Sequence, residues 1–251
     1  MRVEIALSWD SNIDKVTSNY RMALASLIKE AFNKSSEKFK VSLYDSGHRY
    51  KPFTFSIHFP LNREKNEKNF IYLSGNKAIL TFSSPDYEYI MNFCNGIQKI
   101  RQYNMGFPVY IGQTMLLPNE TVMENKRVWH TDAAVFHMYD DEGKRSGYAK
   151  EGEYGFNAAV MRHIQAKVRK AFPDMAEEDI NTISIQWIWA KNIAVSHYNS
   201  LVSCVEGVFC LTAPSEAQQL FYDTGLGARN SQGFGMLFCG EHRTLPNGGV
   251  K

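Results

Sequence analysis

The order in which strand-like and helix-like patterns follow one another constrains the fold of this chain most. In the first half, strand predictions rest on apolar residues that recur at a period of two, and helix predictions on a period near 3.6. The Gly-Asn pair at 75–76 also predicts a hairpin between its flanking strands. The predicted elements are a strand at 2–9, a helix from 19, a short helix at 36–43, strands at 53–59, 70–73 and 78–83, a helix at 87–103 and a strand at 107–117. Apart from the short helix, this order is roughly β-α-β-β-α-β.

The second half repeats this order of elements without repeating the sequence. The predicted elements are a strand at 133–139, a helix at 156–172, strands at 183–194 and 205–212, a short helix at 214–222 and a strand after Gly233. The simplest architecture with this order is an α+β fold of two tandem ferredoxin-like (RRM-like) domains. We place these domains at residues 1–120 and 121–251.

Composition and charge exclude several classes of protein. The 251 residues are 44% hydrophobic and 22% charged, which is typical of a globular protein, and a net charge of +2 predicts no bulk attraction to polyanions. Four cysteines without a C-x-x-C pair indicate neither a disulfide scaffold nor a metal finger and favour a reducing, cytoplasmic setting. Arg2 and Glu4 interrupt the first apolar residues, so we expect neither a signal peptide nor membrane association.

A glycine-rich segment at 225–235, before the last predicted strand, is the most specific motif. Glycine permits positive φ and close backbone approach, so such a loop can turn amide groups toward phosphate oxygens. A tight connection that packs a helix on a sheet would explain the same glycines. The segment lacks the Gly-Lys-Ser/Thr ending of a Walker loop and the G-x-G-x-x-G dinucleotide spacing. The sequence therefore predicts no nucleotide cofactor, and no other cofactor or metal.

The string G-L-G-x-x-x-x-x-G-F-G, followed by Met236-Leu237, resembles the signature loop of the repeat-associated RNA-binding superfamily found in CRISPR systems. The first strand, the segment 19–28 and the strand entry at 51–56 are similar to the N-terminal domain of its repeat-RNA processing endoribonucleases, whereas 118–180 matches only in outline. This resemblance implies two ferredoxin-like domains. It also implies metal-free cleavage of precursor CRISPR RNA, in which the 2′-hydroxyl attacks and leaves a 5′-hydroxyl and a 2′,3′-cyclic or 3′-phosphate end.

The resemblance also implies catalytic residues in the N-terminal domain. Metal-free cleavage needs an acid, a base and a cation near the phosphorane. His48 is our first choice for the acid or base, although the family often has its histidine where this chain has Tyr44. Lys51 matches a lysine that can stabilise the transition state, and Tyr44 is an acid or a stacking residue of second rank. Lys29 lies where some members carry a catalytic tyrosine and reads more simply as a surface lysine.

In the C-terminal domain the resemblance implies RNA binding by the glycine-rich segment. Arg229, Asn230 and Ser231 are the side chains expected to hold phosphates or base edges, and the loop backbone positions the RNA. The RNA-binding residues are thus Gly225, Gly227, Arg229, Asn230, Ser231, Gly233 and Gly235. Basic residues elsewhere, among them Lys99, Arg101, Lys167 and Lys170, are candidates for a groove, or simply solvated charges.

Two other functions stay open. Because Tyr44 stands where the family often has a histidine, one alternative is a non-catalytic subunit that holds repeat RNA in a guide-RNA surveillance complex. The second alternative is a ferredoxin-like enzyme or regulator unrelated to RNA. The expected partner is CRISPR repeat RNA or its precursor, and the sequence leaves contacts with other CRISPR effector subunits and a homodimer open.

Overall fold

The computed structural model describes residues 1–44, 50–65, 67, 69–198 and 200–239. They form two main antiparallel sheets, one drawn from strands between residues 2 and 116 and the other from strands between 126 and 239. Each sheet packs helices against one face to close its own apolar core. His48 lies outside the described residues.

The first sheet has the strand order β3-β5-β1-β7-β6, in which every neighbouring pair is antiparallel. Without β6 this is the order of a ferredoxin-like unit. The elements are β1 (Arg2–Ser8), β2 (Lys15–Thr17), α1 (Tyr20–Ser35), α2 (Glu37–Tyr44), β3 (Thr54–His58), β4 (Phe70–Tyr72), β5 (Lys77–Ser83), α3 (Tyr87–Ile97), β6 (Gln102–Asn104) and β7 (Pro108–Leu116).

The helices α1 and α3 cross closely on this sheet. Gly96 of α3 lies against the backbone of Ala31 in α1, where an added Cβ would overlap the Ala31 carbonyl. Phe32 and Phe93 are fully buried beside this crossing. Asp86 caps α3 by accepting a 2.8 Å hydrogen bond from the Glu88 amide. The close approach at Gly96 holds α1 against α3.

The predicted hairpin across 70–83 is wrong. β4 pairs with β2, with Lys15 opposite Tyr72, while β5 pairs with β1 and β3. Leu80 and Phe82 of β5 are fully buried, so this strand belongs in the centre of the main sheet, where burial outweighs the local turn signal. The helix predicted to reach residue 103 ends at Ile97, because 102–104 form the edge strand β6.

The second sheet has the order β11-β12-β8-β13, again antiparallel throughout. Its elements are β8 (Lys126–Ala134), β9 (His137–Tyr139), β10 (Arg145–Tyr148), α4 (Phe156–Ala171), α5 (Glu177–Thr182), β11 (Ser184–His197), β12 (Ser200–Thr212), α6 (Ser215–Thr224) and β13 (Leu237–Cys239). The strand predicted at 133–139 is divided between β8 and β9. The prediction of an α+β fold with two ferredoxin-like units is confirmed.

Arg2 joins the two sheets. Its side chain is only 6% exposed, and Nη2 donates to the carbonyls of Tyr222 at 2.7 Å and Leu237 at 2.6 Å. The guanidinium lies 3.6 Å from the centre of the Tyr222 ring. The terminal amine of Met1 adds a 2.8 Å ion pair with Asp223. The start of β1 is therefore fixed to the end of α6 and to β13.

The proposed domain boundary at residues 120 and 121 falls between β7 and β8, and it stays a proposal. Among the described helices, none has the length and apolar content needed to cross a bilayer.

Candidate functional site

The glycine-rich loop between α6 and β13 has a backbone that depends on its glycines. Gly225, Gly227, Gly233 and Gly235 all have φ between 73° and 85°. A Cβ on Gly235 would overlap the carbonyl oxygen of Leu226, and one on Gly227 would overlap that of Val135. Glycine is needed there for both φ and space.

Backbone hydrogen bonds hold this loop to its own sheet. The Leu226 amide donates to Gly235 O at 2.7 Å, which closes the loop at its base. The amides of Ala228 and Gly235 donate to Val135 O and Ala133 O, at the end of β8. These amides therefore fix the shape of the loop, and RNA binding by the glycines would act through that shape.

The side chain of Asn230 turns back into the loop. Its Nδ2 donates 3.0 Å hydrogen bonds to the carbonyls of both Leu226 and Phe234. Its Oδ1 accepts a 2.9 Å hydrogen bond from Nζ of Lys167 on α4. In this conformation Asn230 organises the loop from within.

Lys167 on α4 places its amine at the base of the loop. Besides Asn230, its Nζ donates to the carbonyls of Gly225 at 2.5 Å and Thr224 at 3.3 Å. Burial lowers the pKa of Lys167 to about 7. The three oxygens match the three N–H groups of an ammonium ion. The sequence showed Lys167 only as one of many basic residues on a helix.

Arg229 and Ser231 belong to the tip of the loop. Arg229 has a φ of 60°, and its Nη2 donates a 3.1 Å hydrogen bond to the hydroxyl of Tyr148 on β10. Ser231 lies in a short 3-10 turn, Asn230–Gln232. Arg229 and Tyr148 thus form a cation beside an aromatic ring, a pair suited to phosphate contact and base stacking.

The loop also contacts the first sheet and α1. Nε of Arg21, in the first turn of α1, donates a 3.1 Å hydrogen bond to Gly233 O. A Cβ on Gly233 would come within 2.6 Å of the Phe55 ring on β3. Thr54 donates its hydroxyl to Phe234 O at 3.3 Å. Arg21 stood in the segment that carried the resemblance, but no sequence pattern predicted this contact.

A buried histidine packs against the inner side of the loop. His197 at the end of β11 is fully buried, and its Nε2 lies 3.1 Å from Oε1 of Gln232. Its ring packs edge-on to Phe234 at 5.2 Å. Burial lowers the pKa of His197, which favours the neutral ring. No sequence signal marked this residue.

A second cluster forms around Tyr44 at the end of α2. Nζ of Lys51 lies 3.9 Å from the centre of the Tyr44 ring, and Nζ of Lys29 on α1 lies 5.0 Å from it. Burial, followed by repulsion from Lys29, lowers the pKa of Lys51. Burial raises the pKa of the Tyr44 hydroxyl far above its ordinary value of 10. The structure thus brings Tyr44, Lys51 and Lys29 together, on the chain that flanks residues 45–49.

The helix α4 connects this cluster to the glycine-rich loop. Lys170 places Nζ 4.8 Å from the centre of the Tyr50 ring, next to Lys51 in sequence. Lys167 and Lys170 are three residues apart, so they occupy neighbouring positions on one face of α4. Since Lys167 contacts the base of the loop, Tyr50 and the loop face the same part of helix α4.

Within the described ranges, no three His, Cys, Asp or Glu side chains are grouped so that they could hold a metal ion.

Comparison with known proteins shows the family of this chain. The family described as CRISPR-associated protein Cas6 matches in two parts, its N-terminal part over residues 15–109 and its C-terminal part over residues 133–239. The chain belongs to the Cas6 family. The C-terminal match includes the whole glycine-rich loop, and the N-terminal match includes Lys29, Tyr44, His48 and Lys51.

Three relatives illustrate the family likeness. The chain is 22% identical to CRISPR-associated endoribonuclease Cas6 1 of Methanocaldococcus jannaschii, over all of this chain and 97% of that protein. A structure from a Cas6-related gene of Pyrococcus furiosus has a TM-score of 0.81 at 23% identity and covers 97% of this chain and 99% of its own. A RAMP protein described as binding different RNA substrates has a TM-score of 0.80 at 18% identity, covering 94% and 98%.

Proposed function

We propose that this protein is a metal-independent endoribonuclease that binds CRISPR repeat RNA and cleaves precursor CRISPR RNA into guide units. The observation that supports it most is the cation pair Lys51 and Lys29 around Tyr44, on the chain that flanks His48. Membership in the Cas6 family and the endoribonuclease relative support the substrate and the reaction class.

The proposed reaction is a transfer within the RNA strand. The 2′-hydroxyl loses its proton to a base and attacks the adjacent phosphorus, and the bond from phosphorus to the 5′-oxygen breaks. The 5′-oxygen takes a proton from an acid, so the products are a 2′,3′-cyclic phosphate and a 5′-hydroxyl. We assign His48 as the acid or base. The Lys51 ammonium stabilises the negative charge of the phosphorane.

Tyr44 has a narrower role in this proposal. Its raised pKa keeps the hydroxyl protonated at neutral pH, so Tyr44 cannot act as a base there. It can donate a hydrogen bond, stack on a base or hold Lys51 in place through the 3.9 Å ring contact.

The glycine-rich loop is the proposed RNA-binding element. Arg229 supplies the phosphate contact and Tyr148 a ring face, while Asn230, Lys167 and the glycines keep the loop in shape. RNA hairpins are recognised through shape, phosphates and single-stranded flanks, which such a surface can offer. We further propose action in the cytoplasm, with other CRISPR effector subunits or a second copy of this chain as additional partners.

A second candidate function is a non-catalytic subunit that holds repeat RNA. Tyr44 stands where the family often has a histidine, and a phenol does not accept a proton at neutral pH as an imidazole does. The two functions share the RNA and differ in cleavage.

Incubation in EDTA with repeat RNA from the source locus tests both. One substrate has every 2′-hydroxyl, and its control has a single 2′-deoxy substitution at the cut site. We expect cleavage of the first RNA alone. Binding without cleavage of either would support the non-catalytic subunit, and absence of both would reject the RNA function.

A further inference from the structure

We infer that a basic cleft beside the helices α1 and α2 binds a single-stranded segment of the substrate RNA next to the cleavage point. This inference rests on the proposed function and assigns a binding surface outside the glycine-rich loop. The cleft has a volume of about 830 Å³ and lies between α1, the start of α2 and the segment 99–103.

The side chains around this cleft are strongly cationic. The charged residues in its lining are five cations and one carboxylate: Lys29, Lys34, Lys40, Lys99, Arg101 and Glu30. The chain as a whole has 28 basic and 26 acidic residues, so this excess is local. A local cationic groove on a nearly neutral protein is the pattern expected of a surface that tracks a phosphate backbone.

Lys34 and Lys99 make contacts within the cleft that leave their ammonium groups exposed to solvent. Glu30 pairs with Lys34 at 3.6 Å, an exposed contact four residues along one helix. Lys99 donates a 2.9 Å hydrogen bond to the backbone carbonyl of Lys34, which neutralises no charge. Exposed pairs of this kind exchange readily with a phosphate, because each is worth less than about 1 kcal/mol.

Lys29 makes the cleft continuous with the proposed cleavage site. It lines the cleft, and its Nζ lies 5.0 Å from the centre of the Tyr44 ring. A strand whose phosphate lies beside Lys51 and Tyr44 would therefore pass Lys29 into the cleft. The glycine-rich loop meets α1 at Arg21, eight residues or about 12 Å before Lys29 along the helix axis.

The lining of the cleft suits a single strand, because the bases of a single strand are open to stacking on an aromatic ring. Tyr103 adds an aromatic ring to its lining. Cations that track the backbone, together with a ring for stacking, are how proteins bind single strands without reading their sequence.

The test measures RNA affinity against salt for a variant with two cleft charges removed. Lys34→Gln/Arg101→Gln alters exposed side chains outside the proposed catalytic cluster. The matched control Lys65→Gln/Lys77→Gln removes the same charge from lysines that do not line the cleft. The probe is fluorescently labelled precursor CRISPR RNA with a 2′-deoxy substitution at the cut site, so that binding is measured without cleavage.

We expect the cleft variant to bind about 10-fold more weakly at low salt, with a salt slope shallower by about 1.4, since each contact to single-stranded RNA contributes about 0.7. In single-turnover cleavage of all-ribose RNA, the protein concentration that gives half the maximal rate should rise by a similar factor, whereas the Lys65/Lys77 control should bind and cleave as wild type does. If the cleft variant has the same RNA affinity and salt slope as the Lys65/Lys77 control, the inference is wrong. The proposed function still holds in that case if the wild-type protein binds and cleaves the RNA. Wild-type protein that neither binds nor cleaves the RNA would overturn both.

Discussion

Lys167 on α4 donates a 2.9 Å hydrogen bond to Oδ1 of Asn230 in the glycine-rich loop. Asn230 in turn donates to Leu226 O and Phe234 O, on the two arms of that loop. A lysine amine in one element and a side-chain amide in another thus determine the loop conformation together. The loop would be far less defined if its glycines were the sole determinant, since glycine adopts many conformations.

Replacing Lys167 with Met should therefore loosen the loop. The change leaves Gly225 O and Asn230 Oδ1 without a donor, which costs about 1–3 kcal/mol in the free energy of unfolding. RNA affinity should fall as well. Urea denaturation and RNA-binding titration measure the two effects. Lys191→Met, at an exposed position on β11, is the control, and equal behaviour of the two variants would contradict this role for Lys167.

The pH dependence of stability should also report on Lys167. Burial lowers its folded pKa to about 7, against an ordinary value of 10.5. Between these values the unfolded chain binds more protons, so the contribution of Lys167 to stability rises with pH. The free energy of unfolding of wild type, relative to Lys167→Met, should increase from pH 7 toward pH 10 and stay level below pH 7. A difference that is flat across this window would show that the pKa of Lys167 is not lowered.

The fold was largely predictable because its elements bury apolar residues with regular periods. Leu24, Leu27, Ile28, Ala31 and Phe32 recur on one face of α1, and the structure buries all five. The pairing of strand 70–72 was not predictable, because a Gly-Asn turn can form whether or not the strands on its two sides pair with each other. Burial of Leu80 and Phe82 in the main sheet decides that pairing, and it depends on strands distant in sequence.

The candidate site was predictable where one motif contained it. The glycine spacing marked the loop, and Tyr44 and Lys51 stood in one short segment. The contacts that organise the loop were not predictable, because Arg21, Lys167 and His197 come from three elements far apart in sequence. A single basic or imidazole side chain in a helix or strand has no pattern that distinguishes it from a solvated or core residue.

Lys51 should matter for catalysis more than for binding. If its ammonium stabilises the phosphorane, Lys51→Met should slow single-turnover cleavage by about 10²-fold or more, the usual effect of losing one such group. Lys51→Arg should restore part of the rate, because the charge is kept. Lys38→Met, on the exposed side of α2, is the control. Equal cleavage by the Lys51 and Lys38 variants would remove Lys51 from the mechanism.

His48 is tested by its own substitution. As the acid or base, its replacement by Ala should slow cleavage by about 10²-fold or more with little change in RNA affinity. Single-turnover rates at saturating protein and a binding titration separate the two quantities. Cleavage at the wild-type rate would exclude His48 from the reaction.

Alanine substitutions at Gly235 and Gly106 distinguish the cost of backbone strain from the cost of a steric clash. Both have positive φ, 73° and 96°, but a Cβ on Gly235 overlaps Leu226 O, whereas one on Gly106 meets nothing within 4 Å. Gly106→Ala should lose about 1 kcal/mol in the free energy of unfolding from strain alone. Gly235→Ala must also displace the loop, so it should lose more and abolish RNA binding, as urea denaturation and titration would show. Equal losses in the two variants would mean that the loop adapts freely and that its shape is not what binds RNA.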